Sequence, residues 1–105
     1  MKIDIANNIK AVELLKVELL QKVTDLFGDI SADGDFETNR RIACDAGNLM
    51  NIVCLLGMRL GVEYEDIKSA MLSGLDEGIA DEHILERRYG DLSRLREEIG
   101  EDVIL

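Results

Sequence analysis

The chain has 105 residues, 47% of them apolar, and a formal charge of −10. This is the length of one domain, here residues 1–105, with apolar content enough for a core, which excludes a disordered tail; so short a chain gains from a partner subunit. The acidic field argues against nucleic-acid and anionic-membrane partners, and aromatics at 4% with no proline or tryptophan argue against a β-sandwich and for helix.

The first predicted helix covers residues 4–27, with Ile5, Ile9, Val12, Leu19, Val23 and Leu26 at helical spacing. Leu14, Leu15, Val17 and Leu20 extend the apolar surface almost all the way round. A helix apolar on most of its circumference has to be covered on several sides, so a homodimer or higher homo-oligomer is expected. Gly28 is expected to stop this helix, with residues 29–35 forming a polar loop.

The second helix, residues 36–60, repeats Ile42, Ala46, Leu49, Val53, Leu56 and Leu60 at alternating four and three residues, and Gly61 stands at the position of a left-handed C-terminal cap. Cys44 and Cys54 fall ten residues apart on it. That is about 15 Å of rise, too far for a bridge, so both are expected as free thiols packed as small hydrophobes. A third helix is expected to start beside Glu63, Glu65 and Asp66, whose charge suits a helix N-terminus, and to end near Leu72, with Gly74 and Gly78 marking a loop. A short helix over 81–88, a turn at Tyr89-Gly90 and a last helix over 91–99 capped by Asp91 complete an all-α bundle of two long and several shorter helices.

No secretory-signal pattern opens the sequence, and no apolar run approaches the ~20 residues that span a bilayer, so a cytoplasmic location is expected. A phosphate-cradling glycine loop, a zinc-spaced cysteine pair and a nucleophile elbow are all absent, and His83 is the only histidine, read as a solvated surface residue.

The remaining chemistry lies in two i, i+3 pairs, Glu18 with Gln21 and Asp45 with Asn48. Each pair lies on one helix face, so two antiparallel helices could aim four oxygen-bearing groups at one point, a set suited to Mg²⁺ or Mn²⁺. The plain alternatives are i, i+4 ion pairs, Arg41 with Asp45 and Glu18 with Lys22. Tyr89-Gly90-Asp91 reads as a helix corner in preference to a ligand contact, and the tail Asp102-Val103-Ile104-Leu105 ends in three apolar residues that a partner could cover.

Three stretches carry a family resemblance: Lys16-Val17-Glu18-Leu19-Leu20-Gln21, Asp45-Ala46-Gly47-Asn48, and Leu56-Gly57-Met58-Arg59-Leu60-Gly61-Val62. They resemble the core of the MazG-like all-α nucleotide pyrophosphohydrolases. The opening from Asn8 to Lys16 and the segment from Glu86 to Ser93 resemble a smaller MazG-like group, so the similarity spans nearly the whole chain. The resemblance implies a MazG-like helical bundle completed by dimerisation, and Mg²⁺-dependent hydrolysis of nucleoside triphosphates to monophosphate and pyrophosphate.

In competent enzymes of that kind an E-x-x-E pair and an E-x-x-D pair hold the metal. Glu18 matches the first acid and Asp45 the third, which gives these two the catalytic role, while Gln21 and Asn48 stand where acids belong. An amide oxygen can ligate a cation but brings no charge and cannot act as a general base at neutral pH, so weakened or lost activity is implied. Asp35 or Glu37 could add a carboxylate, and Lys16, Lys22, Arg41 and Arg59 are the cations that could meet phosphate. A non-catalytic nucleotide-binding or protein-interaction dimer is the alternative reading.

Overall fold

The computed structural model describes residues 5–31 and 36–100, and every regular element among them is an α-helix: α1 (Ile5–Ile30), α2 (Phe36–Arg59), α3 (Tyr64–Ala80), α4 (Ile84–Tyr89) and α5 (Asp91–Gly100). The expected all-α fold is therefore present, as two compact units, Met1–Val62 and Glu63–Leu105. The tail proposed as a partner-covered segment and Asp35 lie outside the described residues.

In the first unit α1 and α2 pack side by side, antiparallel. Asn8 Nδ2 donates to the Arg59 carbonyl at 3.0 Å at one end, and Arg41 Nε meets Asp29 Oδ1 at 3.2 Å at the other. Half-buried Val12, Leu15, Leu19 and Leu26 of α1 turn inward, opposite Ile42, Leu49, Ile52 and Leu56 of α2. Ile52, at 6% exposure, is the one buried apolar side chain among the described residues. Val53 and Leu60, expected in the core, are 44% and 63% exposed, because the inward face of α2 centres on the Leu49–Ile52–Leu56 line and leaves them on its flank.

α1 does not stop at Gly28. Its hydrogen bonding continues to Ser31, whose amide and hydroxyl both donate to the Phe27 carbonyl, at 3.2 and 3.0 Å. A helical glycine costs only about 1 kcal/mol, and half-buried Leu26 and Asp29 on either side hold the last turn in place. α2 ends as expected: Gly61 has φ +83°, the Val62 amide reaches back to the Gly57 carbonyl at 2.8 Å and the Gly61 amide to Met58 at 3.1 Å. These are the two bonds of a Schellman cap.

In the second unit α3 runs eight residues past its expected end, through Gly74 and Gly78, to Ala80. Gly78 is a packing position: a Cβ there would come within 2.5 Å of Leu92 Cδ2, so the missing side chain lets α5 lie close against α3. Arg96 of α5 then pairs with Asp76 of α3, Nε to Oδ1 at 2.8 Å. The stop signal of α3 lies at Glu82, which holds φ +57° while its amide and that of His83 bond the Ile79 and Gly78 carbonyls. This repeats the Schellman geometry with a glutamate in the left-handed position, where a side chain costs about 1–2 kcal/mol. Glu82→Gly is accordingly expected to raise unfolding free energy by about 1 kcal/mol in a denaturant titration.

α4 begins later than expected because His83 is its cap, with Nδ1 accepting from the Leu85 amide at 3.0 Å, so this histidine has a structural partner. Gly90, φ +69°, turns the chain into α5. The cap expected of Asp91 falls to Glu86, whose carboxylate accepts from the Ser93 amide at 2.9 Å and from the Ser93 hydroxyl. These bonds from Ser93, joined by the Leu92 amide, hold the Glu86 carboxyl below its ordinary pKa. A depressed carboxyl contributes stability that is present above its unfolded pKa, about 4.3, and lost as pH falls through the folded value. Wild type is therefore expected to lose stability on acidification below about pH 4.3 more steeply than Glu86→Gln, read from melting curves across that range.

Candidate functional site

Of the residues singled out by sequence, Arg41 and Asp45 border one depression on the α1–α2 hairpin and Lys22 acts electrostatically on Asp45. Thr38, 2% exposed in the first turn of α2, accepts from Arg41 Nη2 at 3.2 Å, and Arg41 Nε is drawn to Asp29 at the end of α1. Arg41 thus pairs across the helices, and the alternative i, i+4 pair with Asp45 is not what the fold uses. Lys22 likewise faces Asp25 at 3.6 Å, and Lys16 faces Glu13 at 3.0 Å.

This leaves Asp45 without a cation of its own. It is half-buried, and its Oδ2 is shielded from solvent with no hydrogen-bond partner. Its carboxyl pKa is raised, first by the Asp29 side chain, to which a protonated Asp45 would hydrogen-bond, then by burial and by the negative charges of Asp29 and Asp25; Lys22 opposes the rise. Between two ionised carboxylates there is no proton to share, so the acceptor is orphaned until a proton or a cation arrives.

Glu18 and Gln21 line an open depression of about 400 Å³ with Lys22 and Asp25. Asp45 lines the next one, of about 280 Å³, with Asp29, Glu37, Arg40, Arg41 and Cys44. Lys22 and Asp25 link the two, because they border the first and act electrostatically on Asp45 in the second. Gln21 and Asn48 are exposed. Glu18 stands seven residues before Asp25, about 10 Å of helix rise, so Asp25 lies nearer the level of Asp45 than Glu18 does.

Arg59 is not part of this grouping. It borders a third depression with Ala11, Leu14, Leu15, Leu55 and Met58, about 20 Å of helix rise from Asp45. Cys44 is exposed at the rim of the Asp45 depression and not packed as a core hydrophobe, whereas Cys54 is half-buried; both are free thiols. Tyr89 is 69% exposed in the second unit.

The pattern of the MazG-like family matches residues 5–92, which takes in both long helices and all four positions. The chain belongs to the MazG-like family. No curated protein and no solved structure matches it. The family is generally metal-dependent, and among the described residues no helix is long and apolar enough to cross a membrane.

Sequence reading of this MazG-like chain missed Asp25 and Asp29. Their signal was present as the run Lys22, Asp25, Asp29 at three and four residues, one helical stripe. Ending α1 at Gly28 assigned Asp29 to a loop and broke that stripe.

The side chains fit a hard divalent cation in a particular way. Among the described residues no three His, Cys, Asp or Glu form a ready cage. Mg²⁺ is usually held by one or two carboxylates, with water and substrate phosphates filling the rest of its octahedron. The orphaned oxygen of Asp45 beside the Asp29 carboxyl is a group that could serve as such a partial anchor; Arg41 borders the same depression, and Lys22 acts electrostatically on Asp45.

Proposed function

We propose that this MazG-like protein binds a nucleoside triphosphate together with a divalent cation on the Asp45 side of the α1–α2 hairpin, and that its turnover to monophosphate and pyrophosphate is weak or lost. The observation that carries the reading is the buried, unpartnered Asp45 Oδ2 among the carboxyls of Asp25 and Asp29, a concentration of negative charge that a cation relieves. When bound, the cation supplies charge neutralisation for phosphate oxygens. Asp45 anchors it together with Glu18, the other acid that matches the family pattern, Gln21 and Asn48 offer neutral oxygens, and Lys22 and Arg41 contact phosphate.

Weak turnover follows from two side chains. Gln21 and Asn48 cannot take a proton from water at neutral pH, and they leave the cation less well neutralised than four acids would. Binding without chemistry is therefore the second reading, favoured by those two amides.

Calorimetric titration of Mg²⁺ and Mn²⁺ into the full chain, alone and with a panel of nucleoside triphosphates, tests both readings when the same mixtures are assayed for pyrophosphate. Saturable cation-dependent nucleotide binding is the expected result, with slow pyrophosphate release marking an enzyme and none marking a binding module. Absence of both cation and nucleotide binding overturns the proposal.

A further inference from the structure

The three depressions of the hairpin follow one another along a single side. At about 100° per residue, Ala11, Leu14, Glu18, Lys22 and Asp25 share one face of α1, and Arg41, Asp45, Leu55 and Arg59 share one face of α2. The antiparallel register, fixed by Asn8 on the Arg59 carbonyl and by Arg41 on Asp29, sets these two faces side by side. The Asp45 end therefore gives way to the stretch of Glu18 and Lys22, and then to an apolar stretch. This last depression, of about 330 Å³, has Leu14, Leu15, Leu55 and Met58 as its walls and Arg59 as the one charged residue on its border. On a chain of charge −10, the Arg59 guanidinium pairs with no acid among the described residues. Helical side chains lean toward the N-terminus of their own helix. In an antiparallel pair Lys22 and Arg59 thus lean toward each other along the same side.

We propose, resting on the nucleotide reading of the Asp45 side, that this apolar depression receives the base of the bound nucleotide and that Arg59 selects guanine. Ligand pockets are mostly apolar, with a small number of polar groups that fix orientation, and the composition here is of that kind. Leu14 and Met58, 59% and 55% exposed, offer apolar surface to the faces of a flat ring. The guanidinium offers donors only, in a planar fork. Guanine presents two acceptors side by side, O6 and N7, which such a fork meets with two parallel bonds. Adenine places an amino donor beside N7, cytosine presents an amino donor, and thymine has a single acceptor at O4. Lys22, at the phosphate end, stands about 10 Å of helix rise from Leu15, a gap for ribose and phosphates to bridge. Arg59, farther still from Asp45, then meets the base and not the phosphates.

Calorimetric titration of the full chain with guanosine triphosphate, adenosine triphosphate and inorganic triphosphate, each with Mg²⁺, tests the assignment in wild type and in Arg59→Lys. Wild type is expected to bind the guanine nucleotide roughly tenfold or more tightly than the adenine one, the discrimination of one bidentate contact. Arg59→Lys keeps the positive charge and loses the fork, so it is expected to bring the two affinities together by weakening guanosine triphosphate. Arg59 is exposed, so the melting temperature of the variant is expected to match that of wild type. Inorganic triphosphate, which has no base, is expected to bind both proteins alike. Equal affinity of wild type for the two nucleotides overturns the proposal and leaves the nucleotide reading standing, whereas failure of both to bind overturns the two together. A preference for guanine that survives in Arg59→Lys overturns the role of Arg59. Equal weakening of all three ligands by that substitution overturns it as well, because Arg59 would then meet phosphate.

Discussion

Asp45→Asn is expected to melt at a higher temperature than wild type at pH 7 while binding Mg²⁺ roughly tenfold or more weakly. Both effects come from the same carboxyl group. In the fold Asp45 sits beside Asp29 with an oxygen that accepts from no donor, and its pKa is raised. A raised carboxyl contributes stability that is complete below its unfolded pKa, about 3.9, and lost as pH rises through the folded value. The ionised form of Asp45 is disfavoured by the Asp29 side chain, by burial and by the charges of Asp29 and Asp25, and the neutral asparagine removes that repulsion. The advantage of the variant is expected to shrink as pH falls through the raised folded value of Asp45, which then takes up its own proton. Adding Mg²⁺ is expected to raise the melting point of wild type and leave the variant unmoved. Melting curves from pH 4 to 7, with and without Mg²⁺, measure all three. A variant less stable than wild type at pH 7 would mean that the Asp45 carboxylate is held by a partner the fold already provides.

Gly78→Val is expected to lower unfolding free energy by about 1–3 kcal/mol, the cost of forcing side-chain volume into a closed contact. The first carbon of any side chain there would meet Leu92 Cδ2 at 2.5 Å, and a β-branched residue adds further atoms between α3 and α5. Gly74, four residues earlier on the same helix, has nothing within 4 Å of such a carbon, so Gly74→Ala is expected to stabilise by about 1 kcal/mol through helix propensity alone. In a domain of this size each kcal/mol moves the melting temperature by about 4–8 °C, so the two variants should separate clearly from wild type in opposite directions. Equal stabilisation by both would show that Leu92 swings aside at no cost.

These two glycines also explain why the sequence outlined the helices better than it placed their ends. Periodicity located both long helices, and Gly61 closed α2 because a left-handed cap is a local demand that glycine meets. Gly28, Gly74 and Gly78 met no such demand: the first two are tolerated within helices and the third answers to Leu92, fourteen residues away, a contact no local pattern contains. The turn that ends α3 after Ala80 is made at Glu82, a residue type that gives no stop signal in sequence. The candidate site was readable to the same degree. Spacing pointed to Asp45, but the partners that define its environment, Asp25 and Asp29, depend on where α1 ends and on how the two helices align, and both are set by packing. Arg41 shows the same limit: local spacing offered it Asp45, whereas the antiparallel register offered it Asp29.

A single apolar side chain exposed over less than a tenth of its area among the described residues gives the molecule few contacts that act all or none. Hydrogen exchange in a lone pair of such helices would run through opening events of low free energy, and amides of α1 would exchange nearly as readily as those of a surface helix.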